Sequence, residues 1–141
     1  MSKLKILLVE DYEGKCLRGA IERALGTTNY EVSLAEDDFD FRELTETKSY
    51  DAYILDTGMI SPPLRGNPSG MRCEPLEKLK QENPHSAIIF LSGHDSHMYR
   101  VLQPLWDAYI TKPCSMEEIV RTVESTIEKK LKERHTEQDV P

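Results

Sequence analysis

No apolar run in this chain is long enough to cross a bilayer as a helix. Its N-terminus, MSKLKILLVED, is a short apolar stretch ended by two acids and has no small-residue cleavage site, which excludes a secretory signal peptide. The three cysteines, Cys16, Cys73 and Cys114, are odd in number and never in C-x-x-C spacing. A zinc knuckle and a thioredoxin-type redox pair are thereby excluded, and a reducing compartment fits. A basic block is missing as well: 18 Lys and Arg are interspersed among 25 Asp and Glu, for a net charge of −7. That balance argues against direct binding to nucleic acid or to an anionic membrane. Neither G-x-G-x-x-G nor a Walker loop follows any apolar segment, so a nucleotide-binding module is not expected. Repeats and low-complexity tracts are absent. These absences lead us to expect a cytoplasmic protein.

What is present is periodicity. With 141 residues and 38% hydrophobic content there is material for one core, expected over residues 1–134, followed by a polar tail at 135–141. Leu4 to Val9, Tyr30 to Leu34, Tyr50 to Leu55, Ala87 to Leu91 and Ala108 to Thr111 read as short strands. Between them, Leu17, Ala20, Ile21, Ala24 and Leu25 recur at helical spacing, Phe41 and Leu44 mark a second helix over 38–47, and Leu76 and Leu79 a third over 71–81 with Pro75 in its first turn. Residues 95–103 predict a fourth helix, ended by Pro104. The last helix carries Ser115 and Glu118 as a capping box ahead of the apolar stripe Met116, Ile119, Val120, Val123, Ile127 and Leu131. Five strand–helix alternations predict a doubly wound, five-stranded parallel α/β sheet with helices on both faces.

In such a sheet, ligands bind beyond the carboxyl ends of the strands. The residues there are Glu10 and Asp11 after the first strand, Asp56 at the end of the third, Ser92 after the fourth and Lys112 after the fifth. Clustered carboxylates favour a hard cation such as Mg²⁺, and a carboxylate nucleophile beside a metal and a lysine suits attack on phosphorus. Ser92 would donate a hydrogen bond to the new phosphate.

These segments, KILLVED, YILDTGM, IIFLSG and AYITKP, resemble in order the four motifs of the response regulator receiver domain, and the resemblance covers roughly residues 3 to 130. It implies the flavodoxin-like strand order 2-1-3-4-5, with Asp56 as phosphoacceptor and Mg²⁺ held by Glu10, Asp11, Asp56 and the Gly58 carbonyl. It implies that Lys112 and Ser92 contact the phosphoryl group. Tyr109 matches the aromatic that moves with Ser92, relaying phosphorylation to the surface of the fourth helix and fifth strand. His94, two residues past Ser92, stands where side chains tune dephosphorylation. The implied partners are a sensor histidine kinase or histidine phosphotransfer protein as donor, and a downstream protein or fused output domain as reader. The only catalysis implied is the domain's own phosphoryl transfer and dephosphorylation.

The chain departs from that pattern in three places. Gly70, which opens the third helix, is reached late, so the loop after Asp56 is enlarged; Leu105-Trp106 replaces a common Gly-Ala pair in a shortened Ser92–Lys112 segment; and Cys114 stands where Phe is common. His94, Asp95 and His97 lack a matched second pair of zinc ligands. A phosphohydrolase of the haloacid dehalogenase type would need a second Asp where Gly58 stands. The remaining alternative is a pseudo-receiver, the same fold serving as a docking module without phosphorylation.

Overall fold

The computed structural model describes residues 4–9, 15–26, 30–36, 38–56, 74–92, 106–112 and 115–139; within these, the side chains at 15–18, 22, 26, 38, 39, 74–76 and 134–139 lie outside the description. The elements are β1 (Leu4–Val9), α1 (Lys15–Gly26), β2 (Tyr30–Ala35), α2 (Asp38–Thr47), β3 (Ala52–Asp56), α3 (Glu74–Glu82), β4 (Ala87–Ser92), β5 (Ala108–Thr111) and α4 (Met116–Asp139). The helix expected over 95–103 lies outside the described residues, so the C-terminal helix is numbered α4.

All four strand pairings are parallel and the order is β2-β1-β3-β4-β5, as expected. Parallel strands must be joined by crossovers, and crossover helices cover both faces, so the central strands bury both sets of side chains. β3 and β4 are buried at every position. Alternation divides the core into two layers. Ile6, Leu8, Ile54, Ile89, Leu91 and Ile110 face Ile21 and Leu25 of α1 and Ile119, Val123 and Ile127 of α4. On the other side Leu7, Val9, Tyr53, Leu55, Ile88 and Phe90 meet Phe41 of α2 and Leu79 of α3. Each fully buried aliphatic side chain stabilises the fold by roughly 1.5–3 kcal/mol relative to exposure.

Two expected boundaries shift. β3 begins at Ala52 rather than Tyr50. The Tyr50 N–H donates to the Tyr53 hydroxyl at 3.3 Å and its carbonyl accepts from the Ser86 hydroxyl at 2.6 Å, so side chains, not a neighbouring strand, take its backbone groups. At the other end of the chain, α4 runs through Asp139 into the segment expected to be a polar tail. No Gly or Pro interrupts Ser115–Asp139, and each residue added to an existing helix gains a bond without a new nucleation cost. The helix starts where the capping box placed it: the Glu118 N–H donates to Ser115 Oγ at 3.0 Å. Thr126, buried on α4, is satisfied by donating to the Thr122 carbonyl at 2.6 Å.

The amino-terminal edge of the sheet is closed by two aspartates in the same way. Asp51 donates its N–H to the Lys5 carbonyl at 2.7 Å and accepts the Lys5 N–H on Oδ2 at 2.7 Å. Asp107 donates to the Ile88 carbonyl at 2.7 Å and accepts the Ile88 N–H on Oδ2 at 2.8 Å. Each precedes a strand and satisfies the neighbouring strand where its ladder begins. Asp107 also accepts Lys130 Nζ of α4 at 2.8 Å on Oδ1, with Lys80 Nζ of α3 3.7 Å from the same oxygen. One carboxylate thus faces lysines on helices from opposite faces of the sheet, bonded to that of α4.

Candidate functional site

The carboxyl edge of the sheet holds the site residues expected from the sequence that the structure describes. Asp56 ends β3, and its register partner on β4 is Leu91. Ser92 ends β4 opposite Thr111 of β5, and the next residue, Lys112, donates its backbone N–H to the Ser92 carbonyl at 2.6 Å. Two strand spacings separate β3 from β5, roughly 9.5 Å. The four-carbon stem of Lys112 crosses the end of β4 and brings Nζ to 3.0 Å from Asp56 Oδ2. Asp56 and Lys112 share the alternation parity of Ile54 and Ile110, which is why their side chains meet above the same layer.

Burial gives this pair its character. The side chains retain 12% exposure for Asp56 and 26% for Lys112. A carboxylate so enclosed is costly without a partner, and the ammonium offsets that cost. Ser92 is fully buried. Its parity is that of Phe90, so it belongs to the face carrying Tyr109 and Trp106. The Tyr109 ring is half-buried, 6.1 Å from Phe90 and 5.3 Å from Trp106 by ring centroids.

Of the eight expected site residues, Asp56, Ser92 and Lys112 therefore sit at the carboxyl ends of β3, β4 and β5, and Tyr109 is the second residue of β5. The other four, Glu10, Asp11, Gly58 and His94, lie outside the described residues. β1 ends at Val9, which pairs with Leu55, the residue before Asp56. Among the described residues, no group of three or more His, Cys, Asp or Glu gathers to hold a metal; Asp56 is the one member of the expected ligand set that they include. No helix among them is long and apolar enough to cross a membrane.

Reasoning from sequence missed Asp51 and Asp107. Their signal was in plain view: the tetrapeptide Asp-Ala-Tyr-Ile occurs twice, at 51–54 and 107–110, and opens β3 and β5 with the same hydrogen-bond pattern.

Known proteins share this arrangement. Residues 6–124 match the response regulator receiver domain family. A curated relative, response regulator MprA of Mycolicibacterium vanbaalenii, is 30% identical over 119 residues, covering 83% of this chain and 47% of its own length. The chain thus spans about half the length of the curated relatives it matches. A CheY-like receiver domain protein from Methanospirillum hungatei superposes with a TM-score of 0.75 at 24% identity, covering 94% of this chain and 99% of that one. The receiver domain of the sensor histidine kinase PA1611 from Pseudomonas aeruginosa gives a TM-score of 0.67 at 25% identity, covering 89% and 98%, and that structure holds a magnesium ion in its active-site cleft. Parallel order 2-1-3-4-5, an aspartate and a lysine joined across its carboxyl edge, and a family match over most of the sequence have one conclusion: this chain belongs to the response regulator receiver domain family of two-component signalling.

Proposed function

We propose that this receiver domain is a phosphorylation-activated switch in which Asp56 takes a phosphoryl group from a phosphohistidine on a sensor histidine kinase or histidine phosphotransfer protein. The observation that carries the reading is the 3.0 Å contact between Lys112 Nζ and Asp56 Oδ2 at the open edge of the sheet. A carboxylate oxygen of Asp56 attacks phosphorus, the P–N bond to the donor breaks, and the imidazole leaves with its electron pair and takes up a proton. Lys112 faces the charge that spreads over the transferring oxygens.

Mg²⁺ fits the donor set, which is all oxygen: Asp56, Glu10, Asp11 and the Gly58 carbonyl. The ion supplies further neutralisation of phosphoryl charge when bound. The domain's own residues do the rest: Asp56 supplies the nucleophilic oxygen, Lys112 orients and neutralises, and Ser92 donates to the acyl phosphate. Phosphorylation adds about −1.5 to −2 charges at Asp56. Ser92 is drawn toward them and Tyr109 turns inward, which reshapes the surface formed by β5 and the segment before it. His94 tunes hydrolysis of the acyl phosphate. A downstream protein or a fused output domain reads the changed surface, and the domain itself touches neither nucleic acid nor membrane.

Incubation with acetyl phosphate and Mg²⁺ followed by intact-mass measurement tests the reading. One phosphoryl adduct is expected, sensitive to hydroxylamine and absent from Asp56→Asn. An unmodified wild-type protein, or an adduct that persists in Asp56→Asn, refutes it and leaves the pseudo-receiver.

A further inference from the structure

Trp106 is the only tryptophan of the chain and stands where the family commonly has a small residue. Its indole packs on the ring of Tyr109 with centroids 5.3 Å apart and planes at 58°, and on Phe90 at 6.0 Å and 37°. Phe90 is fully buried and forms the floor of this three-ring cluster. Trp106 is followed by fixed backbone: the next residue, Asp107, is held by both of its bonds to Ile88 and by Lys130. Among the described residues, the indole N–H is buried without an acceptor. A donor in that state favours any movement that brings it to water or to a partner.

The three ring centroids form a triangle, with Tyr109 5.3 Å from Trp106 and 6.1 Å from Phe90, so a turn of Tyr109 about its side-chain bonds changes its contact with the indole. We propose that Trp106 is a positioning residue for the switch: it holds Tyr109 in its unphosphorylated position, and phosphorylation of Asp56 releases the indole and its N–H toward solvent. This rests on Asp56 being the phosphoacceptor. A merely structural indole would hold the same place in both states.

Fluorescence of the single tryptophan reads the difference in the intact wild-type protein. With acetyl phosphate and Mg²⁺, we expect a red-shifted emission and stronger acrylamide quenching that rise together with the intact-mass adduct, and neither in Asp56→Asn. Tyr109→Ala should still take the adduct but lose the spectral response. Trp106→Ala should acquire the adduct about 2- to 10-fold faster, the factor that one aromatic pair contact is worth. Trp106→Phe, which keeps a ring in the cluster and so preserves the fold, should show a smaller gain in the same direction. An adduct on Asp56 with unchanged emission and quenching overturns the inference about Trp106 and leaves the phosphoacceptor standing. A spectral response that survives Tyr109→Ala, or Trp106 variants that phosphorylate no faster, also overturns it. Absence of any adduct overturns both readings.

Discussion

Two lysines share the carboxylate of Asp107, and their replacement by methionine should have opposite consequences. Lys130 Nζ lies 2.8 Å from Asp107 Oδ1 and 3.6 Å from Glu133 Oε2, with its side chain 12% exposed. Burial works against its ammonium, but the hydrogen bond and charge of Asp107 outweigh burial and hold the Lys130 pKa above its ordinary value. Lys80 Nζ is 3.7 Å from the same oxygen, beyond hydrogen-bond range, and burial together with the Lys130 cation pulls its pKa down despite Asp107. A charge-assisted hydrogen bond contributes about 1.5–3 kcal/mol, and methionine recovers part of that by packing its own stem, so Lys130→Met should cost about 1–2 kcal/mol. Lys80→Met loses no hydrogen bond and relieves a like-charge contact, so it should fall within about 0.5 kcal/mol of wild type or above it.

Urea unfolding measures both variants. With a denaturant slope of about 2 kcal/mol/M, Lys130→Met should lower the midpoint by roughly 0.5–1 M, and Lys80→Met should leave it in place or raise it. The pH dependence carries a sign. Because the folded pKa of Lys130 is raised, its contribution is full below the unfolded value of 10.5 and is lost as pH climbs through the higher folded value. The gap between wild type and Lys130→Met should therefore persist from neutral pH to about pH 10 and close above it. Lys80, lowered on folding, opposes folding most where it is charged, so any gain from Lys80→Met should be largest at neutral pH and fade toward 10.5. Equal destabilisation by the two variants would refute this account of the shared carboxylate.

Three further outcomes follow from other parts of the molecule. Ser115→Ala removes the acceptor of the Glu118 N–H and should lower stability by about 1 kcal/mol in the same urea assay, with Ser115→Asp restoring most of it. Tyr53, sealed in β3 with its pKa pushed up to about 12 by burial, should ionise well above the ordinary tyrosine value of 10 when absorbance near 295 nm is followed with pH. Its unfolded form ionises near 10, so stability should fall between pH 10 and 12, and less steeply in Tyr53→Phe. Lys112→Met should slow formation of the Asp56 adduct from acetyl phosphate by about 10- to 100-fold, read by intact mass over time, while the circular dichroism of the helices is kept.

The strands were legible because the pattern is simple: short apolar runs separated by helical spacing leave a parallel sheet as the arrangement that buries both faces, and the strand order was implied by the resemblance to receiver domains. Asp56, Ser92 and Lys112 were legible because each stands at or just past the carboxyl end of such a run, and Tyr109 through the resemblance to receiver domains. The reach of α4 to Asp139 was not, because the apolar stripe lapses before the backbone bonds do. Asp51 and Asp107 were not, because an aspartate ahead of a strand reads as a solvated loop until the neighbouring strand's N–H is seen to point at it.

The repeated Asp-Ala-Tyr-Ile marks the boundary between what sequence and tertiary structure decide. In both copies the local chemistry is the same and was set by the residues themselves: the aspartate closes the strand edge, the alanine and isoleucine face one layer, and the tyrosine faces the other. Position in the sheet then separates them. Tyr53 lies in a central strand, covered on all sides, with its hydroxyl committed to the Tyr50 N–H. Tyr109 lies in the edge strand β5, where no further strand covers it and its ring stays half-buried against Trp106. Which of two identical segments is sealed in the core and which stays half-buried depends on its place in the sheet, and only the assembled sheet contains that information.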